Sequence, residues 1–171
     1  MNVAERSLIA YDYWKESSQK FDYFITGLTG ALVAFVAERY SPERVGWSPK
    51  SLELLSILIL VGSVVAGFKR IEYNVESFKM MSQKLDALEN LGSLTESMSS
   101  APVLNVLTGE ILTLTDMESR KAHYSQVISL SQSRLQTWTK RSLKAYKLRN
   151  YLLIVGFLAI IGSKIWQAYT N

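Results

Sequence analysis

Between Leu54 and Phe68 the chain reads LLSILILVGSVVAGF, with no charge and only Ser56 and Ser63 as polar side chains. A helix of this composition has no face to offer water, and with its flank from Ser51 it reaches the roughly 17 to 25 residues that cross a bilayer. The run 51–68 carries one charge, Glu53, and ends against Lys69 and Arg70. It predicts a transmembrane helix. Two further runs, Tyr23 to Ala37 (YFITGLTGALVAFVA) and Tyr151 to Ile165 (YLLIVGFLAIIGSKI), are short by themselves, but interfacial flanks extend both towards spanning length. The expected spans are therefore about 22–38, 51–68 and 150 onward. The 20% of charged residues belongs to the stretches between them. A soluble bundle is the alternative, but three helices apolar all round need more amphipathic covering helices than the remaining chain supplies.

Residues 1–68 then form an N-terminal helix followed by a transmembrane hairpin. Val3, Ser7, Tyr11, Trp14, Ser18 and Phe21 recur at helical spacing. Such a helix lies on the bilayer, leads directly into the first span or packs against the soluble part of the protein. Acidic residues before the first apolar run argue against a cleaved signal peptide. Pro42, Gly46 and Pro49 punctuate a short connection over 38–50, where Tyr40 and Trp47 suit headgroup depth.

The polar stretch 69–149 is the one region large enough for a soluble module. Ile71, Val75, Phe78, Met81, Leu85 and Leu88 follow a narrow, heptad-like stripe, and Gly92 reads as the helix stop, with a serine-rich loop after it. After Pro102 the pattern alternates, VLNVL and EILTL around Thr108 and Gly109, predicting a small β-hairpin over 103–114. Thr115 to Glu118 reads as a capping box opening a long helix that runs unbroken into the third span. The fold class expected is an all-α membrane protein: three transmembrane helices, a long cytoplasmic antiparallel helical pair between spans two and three carrying that hairpin, and a third span with a short tail over 150–171.

Lysine and arginine set the orientation. The N-terminal stretch and 69–149 hold nearly all of those near span ends, against Arg39, Arg44, Lys50 and Lys164 on the other side. By the positive-inside rule the N-terminus and the module face the cytoplasm and the C-terminus lies outside, in a cell membrane that is the inner membrane if the source is bacterial. Arg134, Lys140, Arg141, Lys144, Lys147 and Arg149 form an acid-free cluster before span three, which suits either topogenesis or contact with anionic lipid. Its place beside the membrane argues against nucleic acid.

Glu53 and Lys164 are the ionisable residues within the apolar runs, both expected in the outer leaflet, where they either pair or sit separately at the interface. Gly27, Gly30, Ala34, Gly62, Ser63 and Gly67 lie at helix-packing spacing, within one chain or between subunits. Thr26, Thr29, Ser56 and Ser63 are hydroxyls that line a water path or bond to backbone. His123, near Arg120 and Tyr124, fits no catalytic arrangement. With no cysteine and one histidine, the chain carries no disulfide framework or thiolate chemistry, and no nucleotide loop, metal-ligand set or cofactor motif is present. The reading is non-enzymatic, with no cofactor.

A hydrophobic hairpin followed by a cytoplasmic helical module resembles the layout of small bacterial membrane effectors of defence systems; the resemblance is one of layout and assigns no residue. It implies a soluble part that senses or docks and spans that perturb the bilayer after assembly, while the small-residue faces and the heptad-like helix favour a homo-oligomer around a pore. The alternative is an anchor or scaffold that recruits a cytoplasmic protein through 69–149.

Overall fold

The computed structural model describes residues 3–41, 46–98 and 114–170, with the side chains of 3–12, 14 and 114 left out. Three helices account for nearly all of these residues: α1 (Val3–Glu38), α2 (Pro49–Met98) and α3 (Leu114–Thr170). Each contains a stretch long and apolar enough to cross a membrane. No strand occurs among the described residues, and the hairpin expected over 103–114 lies outside them except for Leu114, the first residue of α3.

The amphipathic N-terminal segment and the first apolar run are one continuous helix, so the former leads directly into the latter. At the start of α2, Ser48 is the cap: its Oγ accepts from the Ser51 amide at 3.3 Å, while Pro49, which has no amide hydrogen to leave unsatisfied, takes the first helical position. The Gly46 amide donates to Ser51 Oγ at 3.1 Å, tightening the entry. Gly92 does not stop α2, which continues to Met98. An exposed glycine costs a helix only about 1 kcal/mol, too little to end one that is otherwise well formed. Likewise Thr115 lies inside α3 rather than capping it.

The chain divides into two compact units, Met1–Glu72 with Arg141–Asn171, and Tyr73–Lys140. The second is shorter at both ends than the polar stretch 69–149. Within it, Tyr73 stacks on Trp138 with ring centroids 5.7 Å apart, Lys84 Nζ donates to Gln132 Oε1 at 2.6 Å, and Met80, Ala87, Met117 and Ser131 are buried. The α2 side of this seam is Tyr73, Ser77, Met80, Lys84 and Ala87, a four-three repeat. It is a different face from the more apolar stripe of Ile71 to Leu88, whose Val75, Leu85 and Leu88 are exposed.

The first unit packs inside out. Leu60, Ser56, Ser63, Thr26, Thr29 and Ser163 are buried, whereas Leu28, Phe35, Leu58, Val65, Ile154, Leu158 and Ile165 are exposed. Small and hydroxylated residues let the backbones approach. A Cβ on Gly156 would come within 2.8 Å of Leu60 Cγ, and one on Gly67 within 2.5 Å of Thr26 Oγ1. Gly156→Ala should therefore destabilise the detergent-solubilised chain by about 1 to 3 kcal/mol. Gly92→Ala, on an exposed turn of α2 with nothing within 4 Å, should leave thermal unfolding unchanged or slightly raised. Equal melting temperatures for the two variants would contradict this packing.

Candidate functional site

The densest chemistry in the first unit is a buried cluster where one end of each apolar run converges. Asp22 comes from α1, two residues past Lys20. Arg70 follows the apolar run of α2, and Arg149 precedes that of α3. Arg149 Nη1 donates to Asp22 Oδ1 at 2.8 Å, and Arg70 Nε lies 2.7 Å from Asp22 Oδ2. The second contact is ionic: the Arg70 N–H is not aligned for a hydrogen bond. Asp22 and Arg149 side chains are each 1% exposed, and Arg70 is 14% exposed.

Burying an ion costs several kcal/mol, so the arrangement persists only because each charge meets compensation. One carboxylate serves two guanidiniums, and the Tyr146 ring supplies further stabilisation, its centroid 4.1 Å from Arg70 Cζ and 5.3 Å from Arg149 Cζ. Arg149 Nε also donates to Asn150 Oδ1 at 3.1 Å. Desolvation pushes the Arg70 guanidinium below its usual range, with the Asp22 charge opposing that and the Arg149 charge adding to it. Arg149 Nη2 and Thr26 Oγ1 are buried without a hydrogen-bond partner. Ser63 Oγ, two helical turns from Arg70 on α2, donates to the Arg149 carbonyl at 2.9 Å and locks α2 to α3.

At the other end of the same unit, Lys164 Nζ donates to Glu53 Oε1 at 2.7 Å. Here the partners differ. Glu53 is 3% exposed and Lys164 54%, so the carboxylate is enclosed and the ammonium reaches outward. Trp47 meets Trp166 edge-on beside this end, with centroids 6.4 Å apart.

The structure sorts the other sequence candidates by what they touch. Gly67 meets Thr26, Gly62 meets Leu152 at 3.4 Å, and Ser63 bonds α3, so these three serve packing within the chain. Gly27 and Gly30 have nothing within 4 Å, and Ala34 is exposed. Thr29 and Ser56 donate to backbone carbonyls of their own helices, at 2.7 and 2.6 Å. Of the basic cluster, Arg134, Lys140, Arg141, Lys144 and Lys147 are exposed. Arg149 has to be taken out of the lipid-facing set, because its guanidinium is buried on Asp22. His123 is exposed and touches Tyr124, and no group of metal-binding side chains occurs among the described residues.

The Asp22 cluster escapes a reading by charge density, which counts Arg70 and Arg149 only as interfacial cations. The available signal is helical phase: Gly67 and Arg70, like Ala145 and Arg149, share the buried side of their helices. Comparison with protein-family models, with curated proteins and with solved structures finds no match.

The uneven exposure of the Glu53 pair has a measurable consequence. Lys164→Met should cost more stability than Glu53→Gln, because it strands an enclosed carboxylate, whereas a lysine without its partner can reach solvent. The double variant should lose less than the sum of the singles. Thermal unfolding in detergent checks both; equal, additive losses would remove the pair as a stabilising element.

Proposed function

We propose that this chain is a non-enzymatic, multi-pass membrane protein that works as a homo-oligomer, forming a pore or perturbing the bilayer. The observation that carries the membrane reading is the inside-out packing of the first unit. A water-soluble monomer rarely exposes so large a contiguous apolar surface, whereas lipid solvates Leu28, Leu58, Val65, Ile154 and Ile165 without cost. Assembly is supported by the open face of Gly27, Gly30 and Ala34, which a neighbouring helix can approach closely. Of the four hydroxyls, Thr29, Ser56 and Ser63 are turned onto carbonyls and Thr26 is buried, which favours a water path between subunits over one along the hydroxyls of a single chain. Conduction on this reading needs several subunits.

The cationic asymmetry supports a cytoplasmic N-terminus and 69–149 module, an outside C-terminus and, in a prokaryote, residence in the inner membrane. In residues 73–140 an antiparallel helical pair is supported by the contacts of Tyr73 with Trp138 and Lys84 with Gln132, whose numbers run in opposite directions along the two helices. The second reading, an anchor or scaffold for a cytoplasmic protein, is favoured by exposed Val75, Leu85, Leu88 and Leu130 in that unit.

Detergent-corrected mass together with ion flux from liposomes separates the two. The wild type should be oligomeric, and Gly30→Leu should lower its mass while leaving each subunit folded. A monomeric wild type would discard the pore and favour the anchor. Orientation is read separately in this cysteine-free chain. Lys121→Cys should resist an impermeant thiol reagent added outside intact cells and react once they are opened, whereas labelling from outside would invert the topology.

A further inference from the structure

Between α1 and α3 in the first unit runs a groove of about 340 Å³, walled by Ile25, Leu28 and Leu32 on one side and Ile154, Phe157 and Leu158 on the other. Thr29 also lines it, but its hydroxyl is spent on the Ile25 carbonyl at 2.7 Å. Nothing in this lining binds a polar solute. We propose that the groove holds an acyl chain of an anionic phospholipid whose phosphate rests on Lys144 and Lys147; this builds on the reading that the apolar helices cross a bilayer.

Register on α3 supplies the headgroup site. Lys147 lies seven residues before Ile154, and Lys144 seven before Tyr151, so all four share one stripe of the helix, and all four are exposed. Seven residues span about 10 Å of helix, which puts the two ammonium groups beyond the end of the groove, with Tyr151 between them and it. That order, cations, then an amphipathic aromatic ring, then an apolar slot, matches phosphate, glycerol backbone and acyl chain of one lipid. After Glu118, α3 has no acidic residue to compete for the lysines.

Two occupants are conceivable for an apolar slot in a membrane, and the lining decides between them. Helices dock in lipid through small residues, yet apart from Thr29 the groove is lined by bulky Leu, Ile and Phe side chains. At 100° per residue, the small residues of α1, Gly27, Gly30 and Ala34, lie on the side opposite Ile25, Leu28 and Leu32. A second copy therefore has a better seat elsewhere, and the groove is left to a chain of methylenes.

Native mass spectrometry of the detergent-purified full chain, titrated with phosphatidylglycerol and with phosphatidylcholine of identical acyl chains, tests this. The wild type should bind phosphatidylglycerol more tightly, by roughly twenty-five-fold if each lysine contributes about fivefold. Lys144→Gln with Lys147→Gln should abolish the preference but keep binding of both lipids. Arg134→Gln with Lys140→Gln, which removes equal charge elsewhere on α3, should keep the preference. Ile154→Trp, which fills the slot, should weaken both lipids. Equal binding of the two lipids by the wild type, or a preference surviving in the lysine double variant, overturns the proposal. So does lipid binding undiminished in a folded Ile154→Trp chain, and if that variant also loses mass, the slot seats a second copy. Failure of the membrane reading appears elsewhere, as a chain that is soluble without detergent and absent from the membrane fraction.

Discussion

One carboxylate with two guanidiniums, closed off from solvent among three otherwise apolar helices, is the constraint on which the rest of the first unit depends. Asp22 cannot be buried alone, and neither can Arg149. Because the three charges come from three different helices, seating the carboxylate between both guanidiniums requires α1, α2 and α3 to meet at one level and in one rotation. Van der Waals packing between apolar helices in lipid is a weak source of rotational specificity, since a leucine on one face packs much as a leucine on another. A charged triplet is not so forgiving: turning any one helix by a residue takes its ion away from its partners and breaks the compensation that lets them be buried.

The small residues follow from that alignment. With Arg70 aimed at Asp22, Gly67 one turn before it must face Thr26, and there is no room for a Cβ. With Arg149 aimed likewise, its carbonyl receives the Ser63 hydroxyl, and further along Gly156 accepts the side chain of Leu60. The Glu53 and Lys164 pair then closes the far end between α2 and α3 only. Among the described residues no ion pair ties the first helix there; its ties are at the Asp22 end and in the packing between.

Much of the architecture is legible in the sequence because lipid-compatible runs are hard to disguise. The absence of charge from Leu54 to Phe68, and the flanking pattern of the other two runs, identify three helices of spanning length. The acid and base within the apolar runs are legible too, since Glu53 and Lys164 stand out against their apolar neighbours. What misleads is hydrophobicity used as a guide to the inside. The stripe from Ile71 to Leu88 is the more apolar face of α2 yet leaves Val75, Leu85 and Leu88 exposed, while the seam that packs contains Tyr73 and Lys84. Gly92 misleads for a different reason: a long helix tolerates one glycine, and the stop signal is only as strong as the conformation that follows it. The cluster at Asp22 is hidden because each of its charges has an ordinary explanation singly, and only helical phase brings them together.

The most direct measurement of this account is a double-mutant cycle on Asp22 and Arg149, using Asp22→Asn, Arg149→Gln and the combination, followed by reversible unfolding of the purified chain in a mild detergent. Asp22→Asn should be the more destabilising single change, because it leaves Arg70 and Arg149 together without a counter-charge, and Arg149→Gln should cost less, because Asp22 keeps Arg70; the double change should cost less than their sum, with a coupling of about 1 to 3 kcal/mol. Losses that add to within about 0.5 kcal/mol would show that the two residues act independently, and the charged triplet would no longer account for how the three helices are held.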